Sequence, residues 1–114
     1  MGGQGENPLL SVRVMDGGLA TELEFLGADL SGPLWSAHVL EKQPELVAQV
    51  HRAYLEAGAE CVATASYQVS RRGYAELRLA EERADRALLR AVEIAASERD
   101  AAAARTGRRA LVAA

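Results

Sequence analysis

Asp16 closes a short apolar run and precedes two glycines, in Val12-Arg13-Val14-Met15-Asp16-Gly17-Gly18-Leu19. The alternation of Val12 and Val14, joined by Met15, predicts a brief, largely buried strand with Asp16 at its carboxyl end. In parallel α/β architectures ligands gather at that end of the sheet, where loops can vary while the strands hold them. A carboxylate there could grip a cationic group, and Gly17 and Gly18 would allow a sharp turn and close approach of a ligand to the backbone. An Asp before Gly-Gly can equally be a turn former that hydrogen-bonds its own backbone. The pair makes neither the dinucleotide fingerprint Gly-x-Gly-x-x-Gly nor a phosphate loop ending in Gly-Lys-Ser or Gly-Lys-Thr. A second set of polar groups, Thr64, Ser66, Tyr67 and Gln68, lies at and just beyond the apolar run Cys61-Val62-Ala63-Thr64-Ala65. These would gather where a second parallel strand delivers its loop; a polar loop around a packed tyrosine is the alternative. Trp35 is either a packing anchor or the wall of a pocket.

Positioning these residues requires strands alternating with helices. Leu19, Leu23 and Leu26 recur at helical spacing, with Thr21 and Glu24 spaced as a capping box and Gly27 as a stop. Residues 28–36 read as a loop, with turn chemistry at Asp29 and Ser31-Gly32-Pro33, and His38 falls in a turn of helix after it. Pro44 and Glu45 open a helix whose apolar face is Leu46, Val47, Val50, Tyr54 and Ala57 and which Gly58 ends. His38 and His51 lack neighbouring ligands at metal spacing and read as ordinary surface or helix histidines. After the second strand, 61–65, one long helix is expected from Tyr74 to about Ala104. Its inner face would be Leu77, Ala80, Ala84, Leu88, Ala91 and Ala95, with a Glu82–Arg86 pair on its surface. Thr106-Gly107 ends it, and 110–114 begins a third strand. Strand, helix, strand, helix, strand start is the order of a βαβαβ unit with parallel crossovers.

The totals fit one soluble globular domain, neither disordered nor fibrous: 114 residues, 49% hydrophobic and 25% charged. A formal net charge of −3 gives no basic footprint, so neither nucleic acid nor an anionic membrane surface is an expected partner. No apolar run approaches the roughly 20 residues of a membrane helix. Residues 1–11 read as a flexible lead-in to a domain spanning 12–114, without the pattern of a secretory signal. With Cys61 as the single cysteine no internal disulfide can form, and a cytoplasmic location is expected.

Taken together, Asp16-Gly17-Gly18-Leu19-Ala20-Thr21-Glu22-Leu23-Glu24, Pro33-Leu34-Trp35-Ser36-Ala37, Pro44-Glu45-Leu46-Val47 with His51, Tyr54 and Ala57-Gly58-Ala59, and Thr64-Ala65-Ser66-Tyr67-Gln68 resemble the amino-terminal part of homocysteine S-methyltransferases. The version after the second strand is most similar to the branch that uses S-methylmethionine or S-adenosylmethionine. The resemblance implies the amino-terminal βαβαβ portion of a (β/α)₈ TIM barrel, incomplete in this chain, since such a barrel takes roughly 250 residues. It assigns Asp16, Gly17 and Gly18 to the homocysteine pocket, with the carboxylate suited to the substrate ammonium. Thr64, Ser66, Tyr67 and Gln68 become its wall, and Trp35 a neighbour.

The implied reaction is methyl transfer from a sulfonium donor to homocysteine, giving methionine. The family holds homocysteine sulfur as a thiolate on zinc bound by three cysteines, which come from later strands. Cys61 is not one of them; no zinc is expected on this chain alone, nor activity without the remainder. The open sheet edges imply self-association or union with a complementary barrel fragment. A non-catalytic remnant associating through those edges and a small amino-acid-binding α/β module are the other two readings.

Overall fold

The computed structural model describes residues 13–30, 32, 34–66 and 68–114, with only the backbone of Trp35 and Ser36. The expectations for the lead-in 1–11, for Val12, for Ser31 and Pro33 and for Tyr67 lie outside the described residues, as does any role of the Trp35 side chain. Seven elements follow in order: α1 Leu19–Phe25, α2 Trp35–Lys42, α3 Pro44–Glu56, β1 Cys61–Ala63, α4 Arg71–Glu76, α5 Glu81–Thr106 and β2 Leu111–Ala113.

The architecture is mixed α/β with parallel strands. β1 pairs with β2 in the register Cys61–Leu111, Val62–Val112, Ala63–Ala113. On the other side of β1 the expected first strand shows, among the described residues, a single parallel bridge, Met15 to Cys61. Nor is it buried: Val14 and Met15 are 59% and 55% exposed, because neither has a packed layer over it. The spatial order is therefore Met15, β1, β2, the order of the chain.

Pro44 stands at the first position of α3, and the helix gives way to Gly58 at φ 107°. That positive φ favours glycine, as does φ 75° at Gly107, the residue that ends α5. The other boundaries differ from expectation. α1 begins at Leu19 behind Gly18, with no side-chain cap, so Thr21 lies inside the helix and the Thr21–Glu24 capping box does not form. Trp35 is not in a loop but opens α2, behind Leu34 in the left-handed region. The single long helix expected from Tyr74 is two. α4 is capped by the Ser70 hydroxyl, which accepts from the Gly73 N–H at 2.9 Å, and the chain turns at Arg78, φ 59°, before α5 starts.

The core lies where α3 packs along α5, closed by α1, α2 and α4. Leu23, Val39, Leu40, Val47, Val50, Tyr74 and Ala84 fill one cluster, and Leu55, Val62, Ala95 and Ala102 a smaller one against the sheet. On α5 the buried stripe is Ala84, Ala87, Ala91, Ala95 and Ala102. Small side chains let α3 approach closely, and Leu88, expected inside, is 37% exposed; Leu77, also expected inside, stands just past the end of α4 and is 41% exposed. Ala80 and Ala57 are likewise exposed. Two ion pairs of α5 tie it to other elements, Arg83 to Glu41 and Asp85 to Arg71 at 2.6 and 2.8 Å, and the expected Glu82–Arg86 pair does not form.

Candidate functional site

The Asp16 turn is fastened to β1. The Asp16 N–H donates to the Cys61 carbonyl at 2.9 Å, and both carboxylate oxygens lie 3.3 Å from the Ala63 N–H. Asp16 thus continues the ladder with its side chain where the backbone bridge stops. One N–H shared between two oxygens leaves most of the carboxylate's acceptor capacity open, and the residue is only half-buried. The turn-forming and ligand-gripping roles are compatible.

Thr64 follows Ala63 directly, and its N–H donates to the Ala113 carbonyl at 2.9 Å. The carboxyl ends of β1 and β2 and the Asp16 turn therefore share one edge of the molecule. Thr64 is buried, and its hydroxyl is 2.7 Å from that of Ser66, so the two form one polar unit. The Val69 N–H returns to the Ser66 carbonyl at 2.9 Å, closing a tight turn in which Gln68 is half-buried. The fold brings Asp16, Gly17, Gly18, Thr64, Ser66 and Gln68 to the same end of the sheet.

The reason for Gly17 is not the one the sequence suggests. Neither Gly17 nor Gly18 has a positive φ; Gly18 is extended, at φ −69° and ψ 123°. A Cβ on Gly17 would instead stand 2.7 Å from the Tyr54 hydroxyl oxygen and 3.0 and 3.1 Å from its ring carbons. Tyr54, placed on an apolar face by its spacing, also donates its hydroxyl to the Gly18 carbonyl at 3.1 Å.

The family model for homocysteine S-methyltransferase matches residues 13–114. The chain belongs to the homocysteine S-methyltransferase family. Relatives include homocysteine S-methyltransferase 2 of Zea mays and YbgG of Bacillus subtilis, each 49% identical over 87 residues. That stretch is 76% of this chain and 26% and 28% of theirs, so the chain spans about a quarter of the length of the relatives it matches. The selenocysteine methyltransferase of Astragalus bisulcatus is 48% identical over the same length. Among solved structures, the metallated form of the homocysteine methyltransferase MmuM from Escherichia coli superposes with a TM-score of 0.83 at 39% identity, covering 93% of this chain and 40% of that one.

For this member of the family, sequence reasoning missed two residues of α3. His51 is not a surface histidine: it is fully buried, and neither ring nitrogen has a hydrogen-bond partner among the described residues. Burial pushes its pKa below the ordinary value, against the pull of the Asp16 and Glu98 charges. Its position one turn from Val47 and beside Val50 was the available signal. Tyr54, three residues on, was visible only as an apolar ring. The described residues do not supply a zinc centre. No three His, Cys, Asp or Glu side chains among them cluster as metal ligands, and Cys61 sits at the start of β1, away from the end that carries Thr64.

Proposed function

We propose that this chain forms the amino-terminal part of a (β/α)₈ barrel that transfers a methyl group from S-methylmethionine or S-adenosylmethionine to homocysteine. Its share of the work is to hold the acceptor's amino-acid head. The observation that carries this reading is the placement of the Asp16 carboxylate, bonded to the Ala63 N–H, and of the Thr64–Ser66 unit at the carboxyl ends of parallel strands, in a member of this family. Relatives named for homocysteine and for selenocysteine are about equally similar to the chain over this stretch. The two acceptors differ in chalcogen and chain length and share an α-ammonium and an α-carboxylate. The matched residues therefore suit the shared head, with Asp16 for the ammonium and the Gly17 and Gly18 N–H groups for the carboxylate. In the reaction the homocysteine thiolate attacks the sulfonium methyl, the new S–CH₃ bond forms as the old one breaks, and the donor departs as a neutral thioether. Chemistry at the sulfur falls to residues outside these 114, and the chain alone is inactive.

Titrating L-homocysteine into the ¹⁵N-labelled chain tests the acceptor role. Shifts should concentrate at 16–18 and 64–68, and Asp16→Asn should weaken binding about 10- to 100-fold, the value of one charge-assisted hydrogen bond. Equal affinity in Asp16→Asn would remove the basis of the reading.

Exposure of Val14 and Met15 at one sheet edge and of Leu111 at the other favours a second property, association through those edges. Sedimentation velocity should give a mass above that of one 12.1 kDa chain, rising with concentration. A concentration-independent monomer would count against it.

A further inference from the structure

Gly17 and Tyr54 occupy one another's space. The position of a Gly17 Cβ lies 2.7 Å from the Tyr54 hydroxyl oxygen and 3.0 Å from the nearest ring carbon, separations that real Cβ atoms hardly reach. The same hydroxyl donates to the Gly18 carbonyl at 3.1 Å. One side chain thus bounds the first peptide of the turn by contact and the second by a hydrogen bond. Gly18 needs such support, because it precedes α1 with no side-chain cap, and a Cβ there would meet only Thr21, at an ordinary 3.5 Å.

The turn is consequently held from two sides by two kinds of element. The sheet holds Asp16 through the Cys61 carbonyl and the Ala63 N–H. Helix α3 holds Gly17 and Gly18 through Tyr54, and α3 is rigid because it packs along α5. Burial, with the Glu22 and Asp16 charges, raises the Tyr54 pKa above the ordinary phenol value.

We propose that Tyr54 is a positioning residue of the acceptor site, fixing the Gly17–Gly18 backbone relative to the Asp16 carboxylate so that both meet the amino-acid head together. This rests on the acceptor reading above. The mechanism is pre-organisation: a turn already in its binding geometry loses less freedom when the ligand arrives.

The test compares the parent chain with Tyr54→Phe, which keeps the ring and removes the bond to Gly18. The backbone {¹H}–¹⁵N heteronuclear NOE at 17–20 should fall, while the values at Val50 and Ala91 in α3 and α5 stay unchanged. Homocysteine affinity should fall about five- to tenfold, the share of one neutral hydrogen bond. Gly17→Ala should disturb the same amides, and combining it with Tyr54→Leu should disturb them less than Gly17→Ala alone. An unchanged NOE at 17–20, a fall spread evenly over α3 and α5, or local loosening with unchanged affinity would each overturn the proposal. Were the parent chain not to bind homocysteine, the acceptor reading would fall, and the NOE data alone would decide whether Tyr54 sets the turn.

Discussion

Tyr74→Ala is expected to cost about 3–5 kcal/mol of stability, a large part of the roughly 5–15 kcal/mol that holds a domain together. Among the described residues Tyr74 is the largest fully buried side chain, 1% exposed, and it works at both ends. Its ring fills the space between α4 and the α2–α5 layer. Its hydroxyl donates to Glu41 Oε1 at 2.7 Å, while Arg83 donates to the other carboxylate oxygen at 2.6 Å. Three helices are joined through one carboxylate. Burial raises the Tyr74 pKa, and the bond to Glu41 raises it further. Burial also pushes Glu41 up, but the bonds from Arg83 and Tyr74 and the Arg83 charge outweigh it and leave Glu41 lowered. Tyr74→Phe keeps the ring and removes one donor from a partly buried carboxylate, so it should cost less, about 1–3 kcal/mol. Urea unfolding of the two variants separates the contributions. Near-equal losses would mean that the hydroxyl, and not the ring, dominates.

His51 carries the second large effect, with the opposite sign on substitution. A fully buried imidazole with both nitrogens unpartnered costs the fold roughly 1–3 kcal/mol in desolvation. His51→Leu should therefore stabilise the chain by an amount in that range. The same burial sets a pH dependence. Because the folded-state pKa of His51 lies below the ordinary 6.5, the unfolded chain takes up a proton that the folded chain refuses. Stability is complete above pH 6.5 and declines as the pH falls from 6.5 towards the lowered value, by up to about 1.4 kcal/mol per unit. Glu41 and Asp85, both lowered, act in the same direction, but only below their ordinary 4.5 and 3.8. Urea midpoints at pH 7.5 and 5.5 isolate His51 from them. The parent chain should lose stability between the two and His51→Leu should not; a leucine variant with the parent's pH dependence would place the titration elsewhere.

Where backbone chemistry dictates structure, the sequence was legible. Pro44 at a helix start and Gly58 and Gly107 past helix ends act through φ and a missing N–H, which no neighbour can override. Parallel strand order followed from helices long enough to cross over. The break between α4 and α5 was not legible, because no glycine or proline marks residues 75–80. It is made by Arg78 in the left-handed region and by the burial of Tyr74, and the Ser70 cap that starts α4 was read as part of a polar loop. The inward face of α5 differs from the expected one at Leu88 for a related reason. Periodicity identifies an apolar stripe but not which side chains are small enough for α3 to come close. In the site, residue types and their position at strand ends marked Asp16, Thr64, Ser66 and Gln68. The partnership of Gly17 with Tyr54 joins residues 37 positions apart, and local patterns carry no trace of it.

The spatial order Met15, β1, β2 bears on how the chain is made. Each strand pairs with the one before it in the sequence, and the intervening helices pack on elements already completed. A chain leaving the ribosome from its amino terminus can therefore add these layers one at a time, without waiting for a distant partner strand. Synthesis and assembly run in the same direction, and a pause after any helix leaves open the Met15 edge and the edge of the newest strand.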